Sequence, residues 1–200
     1  MKELEQYLQE FKVIDLKDAG VILGNKMKVY HLVKINKLKQ VHPKGIGLYT
    51  LPNIDDGEAQ FSALSKYFPR CVVSGKTALS LYNLADEYIK EIHVDIPNTT
   101  NLKNDLFEVS RVHPNKIFDV EERTFQGVPI KIKIYSPERC LYEAYKYGDR
   151  SELYLRALKR YRQNYLSIGK EANQYKKIKE IDEKLKSKVL RDLIMEDVSA

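Results

Sequence analysis

A chain of 200 residues with 43% hydrophobic and 31% charged content has room for one large or two small packed domains. No run nears the ~20 apolar residues of a membrane span, and the acid-bearing start MKELEQYLQEF lacks the apolar run of an export signal, so a cytoplasmic protein is expected. Cys71 and Cys140, each in an apolar setting, read as buried free thiols, and two cysteines with four scattered histidines make no zinc site.

The net charge of +6 is unevenly placed: residues 1–52 carry +4, 53–148 carry −2 and 149–200 carry +4. Basic ends can neutralise phosphates and release counterions, although many basic faces are only solvated.

Leu4, Tyr7, Leu8 and Phe11 recur at i, i+3, i+4 and i+7, the apolar stripe of a first helix. Asp15 reads as the N-cap of a short second helix, LKDA, ended by Gly20, after which VILGN turns the chain. Asn25 caps a third helix running to about Asn36, with Val29, Leu32 and Val33 inward and Lys26, Lys28, Tyr30, His31 and Lys34 on the outer side. A β-hairpin follows, with strands at 38–42 and 48–51 and a turn through Pro43, Lys44, Gly45 and Gly47.

Three short helices and a basic-tipped hairpin are the order of a winged helix-turn-helix, here residues 1–52. On this reading Asn25, Lys26 and Lys28 reach DNA, while Lys34 and Lys44 touch phosphates and position the protein without reading sequence. Tyr30, His31 and the wing residue His42 complete the expected DNA-binding set. The competing use of such a unit is protein contact.

Residues 53–57 (NIDDG) form a polar linker to a larger α/β domain at 58–200. A helix over 58–68 ends before Pro69. CVV is a buried strand, Ser74 caps a helix KTALSLYNL, and residues 92–96 and 106–112 alternate as half-buried strands. Residues 124–135 read as a hairpin turning at Gln126-Gly127, with Ile130, Ile132 and Ile134 on one face and Lys131 and Lys133 on the other. Ser136-Pro137-Glu138 opens a helix with Ser as cap, Pro at the first position and an acid in the first turn. Two further helices are expected, at 152–163 and at about 171–195. The fold class is therefore α/β (α+β), a winged helix followed by a mixed α/β domain with C-terminal helices.

Ser74-Gly75-Lys76-Thr77 matches the end of a P-loop, but Arg70 stands where the first glycine belongs, which favours an ordinary strand-turn-helix. His93 and Asp95 share a strand face as a possible base and orienting carboxylate, without a nucleophile nearby; two polar residues on a wet face are the simpler account. Asp119, Glu121 and Glu122, and Asp86, Glu87 and Glu91, are acidic loops of the kind metal-dependent nucleases cluster, or merely solvated. Arg139, Arg156, Lys159, Arg160 and Arg162, among Tyr142, Tyr154, Tyr161 and Tyr165, form a candidate partner surface; the alternative is amphipathic helices with tyrosine bodies in the core. No cofactor, metal or catalytic constellation is expected.

Four motifs in order carry a resemblance. They are Gly47-Leu48-Tyr49-Thr50-Leu51-Pro52; Ser74 to Leu84 as S-x-x-T-A-L-x-L-x-x-L; Ile92-His93-Val94-Asp95-Ile96-Pro97; and Tyr135-Ser136-Pro137-Glu138-Arg139-Cys140. Over nearly its whole length the chain resembles the AbiEi-type antitoxins of bacterial toxin–antitoxin and phage-defence (abortive infection) systems. It departs from them in Gly75-Lys76, where a His is common, and in Cys140, where Thr is usual.

The resemblance implies a winged helix that binds operator DNA upstream of its own operon and represses it. It also implies a C-terminal antitoxin domain that counteracts a nucleotidyltransferase-like toxin, often without a stable complex; the candidate antitoxin surface is the Arg139 to Arg162 set. An operator built of inverted repeats would demand two copies of the protein. The alternatives are a winged helix fused to a nuclease-like or nucleotide-handling enzyme domain, and a winged helix that docks only protein.

Overall fold

The computed structural model describes residues 2–42, 47–87, 89–102, 106–125, 128–166 and 171–195. Among them the fold is mixed α and β, with nine α-helices and two sheets. Contacts divide the chain into two units: Met1–Cys71 with Leu102–Phe107 and Glu122–Ile132, and Val72–Asn101 with Glu108–Glu121 and Lys133–Ala200.

In the first unit, α1 (Lys2–Phe11) buries Leu4 and Leu8, while Phe11 stays at the edge with its ring 4.8 Å from Tyr7. A two-residue strand β1 (Ile14–Asp15) leads into α2 (Leu16–Leu23), and Asp15 caps it by accepting from the Asp18 N–H at 2.7 Å. The expected stop at Gly20 is not where the helix ends. It runs on to Leu23, and Gly24, at φ +72°, supplies the left-handed cap. Gly20 instead serves close packing, since a Cβ there would lie 2.7 Å from Lys26 Cγ.

Asn25 caps α3 (Lys26–Lys34), which buries Val29 and Leu32 and ends before Asn36, a residue at φ +55°. Strands β2 (Lys39–Gln40) and β3 (Leu48–Thr50) pair antiparallel, shorter than the expected hairpin; its turn at 43–46 lies outside the described residues. β3 also pairs with β1 through Ile14↔Tyr49, so the sheet order is β1-β3-β2.

Asp55 caps α4 (Asp56–Tyr67) by accepting from the N–H groups of Gly57 and Glu58. The helix thus starts inside the expected linker, and it groups with the first unit. The Asp15 N–H donates to the Tyr67 hydroxyl at 3.0 Å, Lys12 pairs with Glu58 at 3.6 Å, and Ile54 is buried.

Part of a five-stranded sheet, in the order β6-β5-β4-β8-β7, belongs to the second unit. The sheet's strands are β4 (Val72–Val73), β5 (Ile92–Pro97), β6 (Phe107–Val112), β7 (Val120–Phe125) and β8 (Val128–Tyr135). The short β4 is antiparallel to β5 through Val73↔Val94 and parallel to β8 through Val73↔Ile134. β7 begins at Val120, four residues earlier than expected, which puts Glu121 and Glu122 in a strand and not a loop.

The unit's helices are α5 (Gly75–Leu81), α6 (Pro137–Tyr145), α7 (Glu152–Tyr165), α8 (Glu171–Leu185) and α9 (Val189–Met195), with α6 packed against α5, α7 and α8. The single helix expected to 195 breaks at Lys186 (φ +56°). Asp182 then caps α9, accepting from the Val189 and Leu190 N–H groups at 3.1 and 2.9 Å. Tyr154 and Tyr161 are fully buried, so the tyrosines of α7 are core bodies with polar tips.

Candidate nucleic-acid interface and polar cleft

The outer face of α3 is exposed at Asn25, Lys26, Lys28, Tyr30, His31 and Lys34, and the helix contains no acid. Among the described residues no carboxylate pairs with Lys26, Lys28 or Lys34. Two of these side chains also hold structure. Asn25 Oδ1 accepts from the Met27 N–H at 2.8 Å, and Lys28 Nζ donates to the Leu23 carbonyl at 2.9 Å, a cation at the C-terminus of α2.

His42 is half-buried, and Lys44 lies outside the described residues. Met27, 67% exposed, joins this face without having been singled out from sequence, and Val21 on α2 is 74% exposed. The signal for Met27 was its place between two outward lysines, off the Val29 and Leu32 side.

The basic set proposed as a partner surface does not stay together. Arg139 is a correction: it is 2% exposed, so it presents nothing to a partner. Its guanidinium donates to Glu143 Oε1 and lies 4.3 Å from the Tyr135 ring and 4.6 Å from that of Tyr142, because burying a cation requires a counter-charge and π faces. Arg160 makes a two-pronged bond to Asp86, and Arg156 pairs with Glu152 one turn away. Lys159 is exposed and Arg162 is half-buried.

The P-loop-like residues are engaged in the fold. Lys76 pairs with Glu87 at 3.0 Å, and the Thr77 hydroxyl accepts from the His93 N–H at 3.0 Å. Ser74 occupies the cap position, but its hydroxyl makes no cap bond; it donates to Asp95 Oδ1 at 2.8 Å.

Asp95 does not sit on a wet face. It is 1% exposed and accepts a second hydrogen bond at Oδ2 from Tyr135, at 2.9 Å. Burial, and next the nearby Glu143, hold its carboxyl above the ordinary value. His93 turns instead to Glu108, with Nε2 at 2.9 Å from a carboxylate oxygen.

The acidic residues near 119 are neutralised locally. Asp119, Glu121 and Glu138 surround Lys177 Nζ at 3.1, 3.8 and 2.8 Å. Against the upward push of burial, the Lys177 bond keeps Glu138 below its usual range. Among the described residues no group of three or more metal-ligating side chains could hold a metal ion.

A cleft of about 110 Å³ lies in the second unit, beside the Ser74–Asp95 pair. Ser74, Asp95 and Glu143 form its buried end, His93 and Glu108 a wall, and Lys146 and Tyr147 are exposed at its mouth. Gly75, at φ +52°, lets the backbone pass the His93 ring: a Cβ there would come 3.1 Å from Nδ1. Sequence reading found Ser74, His93 and Asp95 but not Glu108, Glu143, Lys146 or Tyr147. For Glu143 the available signal was its i,i+4 spacing from Arg139.

The chain matches no protein-family model, and a search of curated proteins gave no match.

Proposed function

We propose that the first unit is a winged helix-turn-helix with α3 as its recognition helix, and that the protein is an AbiEi-type antitoxin of the cytoplasm. In this reading it represses its own toxin–antitoxin operon and counteracts a nucleotidyltransferase-like toxin through its C-terminal region, which carries no catalysis of its own. The observation that carries the DNA-binding part is the acid-free, exposed outer face of α3, where Lys26, Lys28 and Lys34 have no carboxylate partner among the described residues. A helix with a positive N-terminal dipole and unneutralised lysines is suited to phosphate and major-groove contact. The order of three helices and antiparallel strands, with β1 added to β3, supports the same reading.

The test is binding of the full-length protein to DNA upstream of its own gene, against random DNA, over a salt series. The expected result is specific, salt-sensitive binding. The double variant Lys26→Ala/Lys28→Ala is expected to lower the slope of log affinity on log salt by about two. Equal affinity for random DNA would overturn the autoregulator reading.

A further inference from the structure

The exposed side of α3 has an order across its width. At about 3.6 residues per turn, Val29 and Leu32 lie inward and buried, and Met27 stands opposite them, 67% exposed. Tyr30, His31 and Lys34 follow Met27 at i+3, i+4 and i+7, all exposed, so Met27 begins the central stripe of the outer face. Lys26 and Lys28 are its chain neighbours and therefore flank it, one to each side. Lys28 Nζ also donates to the Leu23 carbonyl at 2.9 Å, which keeps it at the flank. The Met27 N–H donates to Asn25 Oδ1 at 2.8 Å, which fixes the start of the helix and so the place of Met27 on its face.

Across this turn of α3 the order is thus cation, thioether, cation. The helix holds no acid, and among the described residues no carboxylate pairs with either lysine. A lone exposed apolar residue is ordinary on a protein surface. One set between two unneutralised lysines is complementary to a partner with two anionic rims and an apolar group between them. The major groove of duplex DNA is such a partner. Phosphates run along both its edges, its width of about 12 Å admits one helix, and the apolar group on its floor is the thymine C5 methyl.

We propose that Met27 is a base-reading residue of α3, packing its thioether against a thymine methyl while Lys26 and Lys28 reach the phosphates on either side. The proposal rests on the DNA-binding reading of the first unit and names what that helix recognises. A flexible, polarisable and unbranched side chain suits such a contact, because it reaches the groove floor and adapts to the methyl.

The test uses two duplexes of the DNA upstream of the protein's own gene. One carries thymine; in the other every thymine is replaced by deoxyuridine, which removes the methyl and keeps the base pairing. Full-length wild type, Met27→Ala and Met27→Leu are titrated against both by fluorescence anisotropy, with a random duplex as reference. The wild type is expected to bind the thymine duplex about three- to tenfold more tightly than the deoxyuridine duplex. In Met27→Ala that ratio should fall toward one, with the salt slope unchanged because no phosphate contact is lost. Met27→Leu should keep a preference for thymine. Position 27 is exposed and alanine is a strong helix former, so the fold is retained. Specific binding with equal affinity for the thymine and deoxyuridine duplexes would overturn the role of Met27 and leave the DNA-binding reading standing. So would a Met27→Ala variant that prefers thymine as strongly as the wild type. Equal affinity for the upstream and random duplexes would overturn both.

Discussion

The Tyr135 hydroxyl donates a 2.9 Å hydrogen bond to Asp95 Oδ2, tying the end of β8 to β5 through two side chains that are both buried. Together with the bond from Ser74 it leaves each Asp95 oxygen with a donor. Tyr135→Phe is predicted to lower stability by about 1–3 kcal/mol in urea unfolding, because one buried oxygen then lacks its donor.

The same carboxyl makes a pH prediction. Burial first, and then Glu143, raise it above the ordinary 3.8. A carboxyl raised in the folded state holds its proton more tightly there than in the unfolded chain. Its contribution to stability therefore falls as pH rises from 3.8 to the folded value, and is level beyond it. Subtracting the stability of Asp95→Asn from that of the wild type should expose this fall. A difference that is flat with pH would contradict a shifted Asp95.

Gly75→Ala is predicted to cost about 1–3 kcal/mol, since the residue holds φ +52°, a region that resists a side chain. Part of the cost is contact, because the new Cβ lies 3.1 Å from His93 Nδ1. In a His93→Ala background the penalty should shrink, and thermal unfolding of the double-mutant cycle measures the difference. An equal penalty in both backgrounds would leave backbone strain as the whole cause.

Asn25 offers a way to separate capping from DNA contact. Asn25→Asp keeps the oxygen that accepts from the Met27 N–H and puts a negative charge on the basic face of α3. Stability should hold within about 0.5 kcal/mol while affinity for operator DNA drops about tenfold. Asn25→Ala should instead lose about 1 kcal/mol of stability. Urea unfolding and fluorescence anisotropy read the two effects separately.

Both cysteines are buried and free; burial pushes the Cys71 thiol up to about 11 and the Cys140 thiol well above its ordinary value. Neither should react with a disulfide reagent near neutral pH until the protein unfolds, because the thiolate is the nucleophile and access is closed. Rapid labelling of the native protein would show that one of these pockets opens.

Much of the local structure was legible in the sequence because its causes are local. The Leu4, Tyr7 and Leu8 spacing, the caps at Asp15, Asn25 and Ser136, and the Ile132–Ile134 alternation each depend on residues a few positions apart, where side-chain geometry follows the helix or strand period. The same logic was available for Asp55 before α4. What only the tertiary structure decided concerns distant partners. A two-residue strand such as β1 has no period to detect and exists because β3 lies beside it. Gly20 and Gly24 look alike in sequence, yet one meets Lys26 of the next helix and the other turns the chain. Polar residues were read as surface at Asp95 and Arg139, but Asp95 is buried once Ser74 and Tyr135 supply its donors, and Arg139, whose counter-charge Glu143 is local, is buried where the Lys116 carbonyl and the Phe118 ring also meet its guanidinium. Whether a charge lies inside or outside is set by partners brought from elsewhere in the chain, so it emerges only when the fold closes.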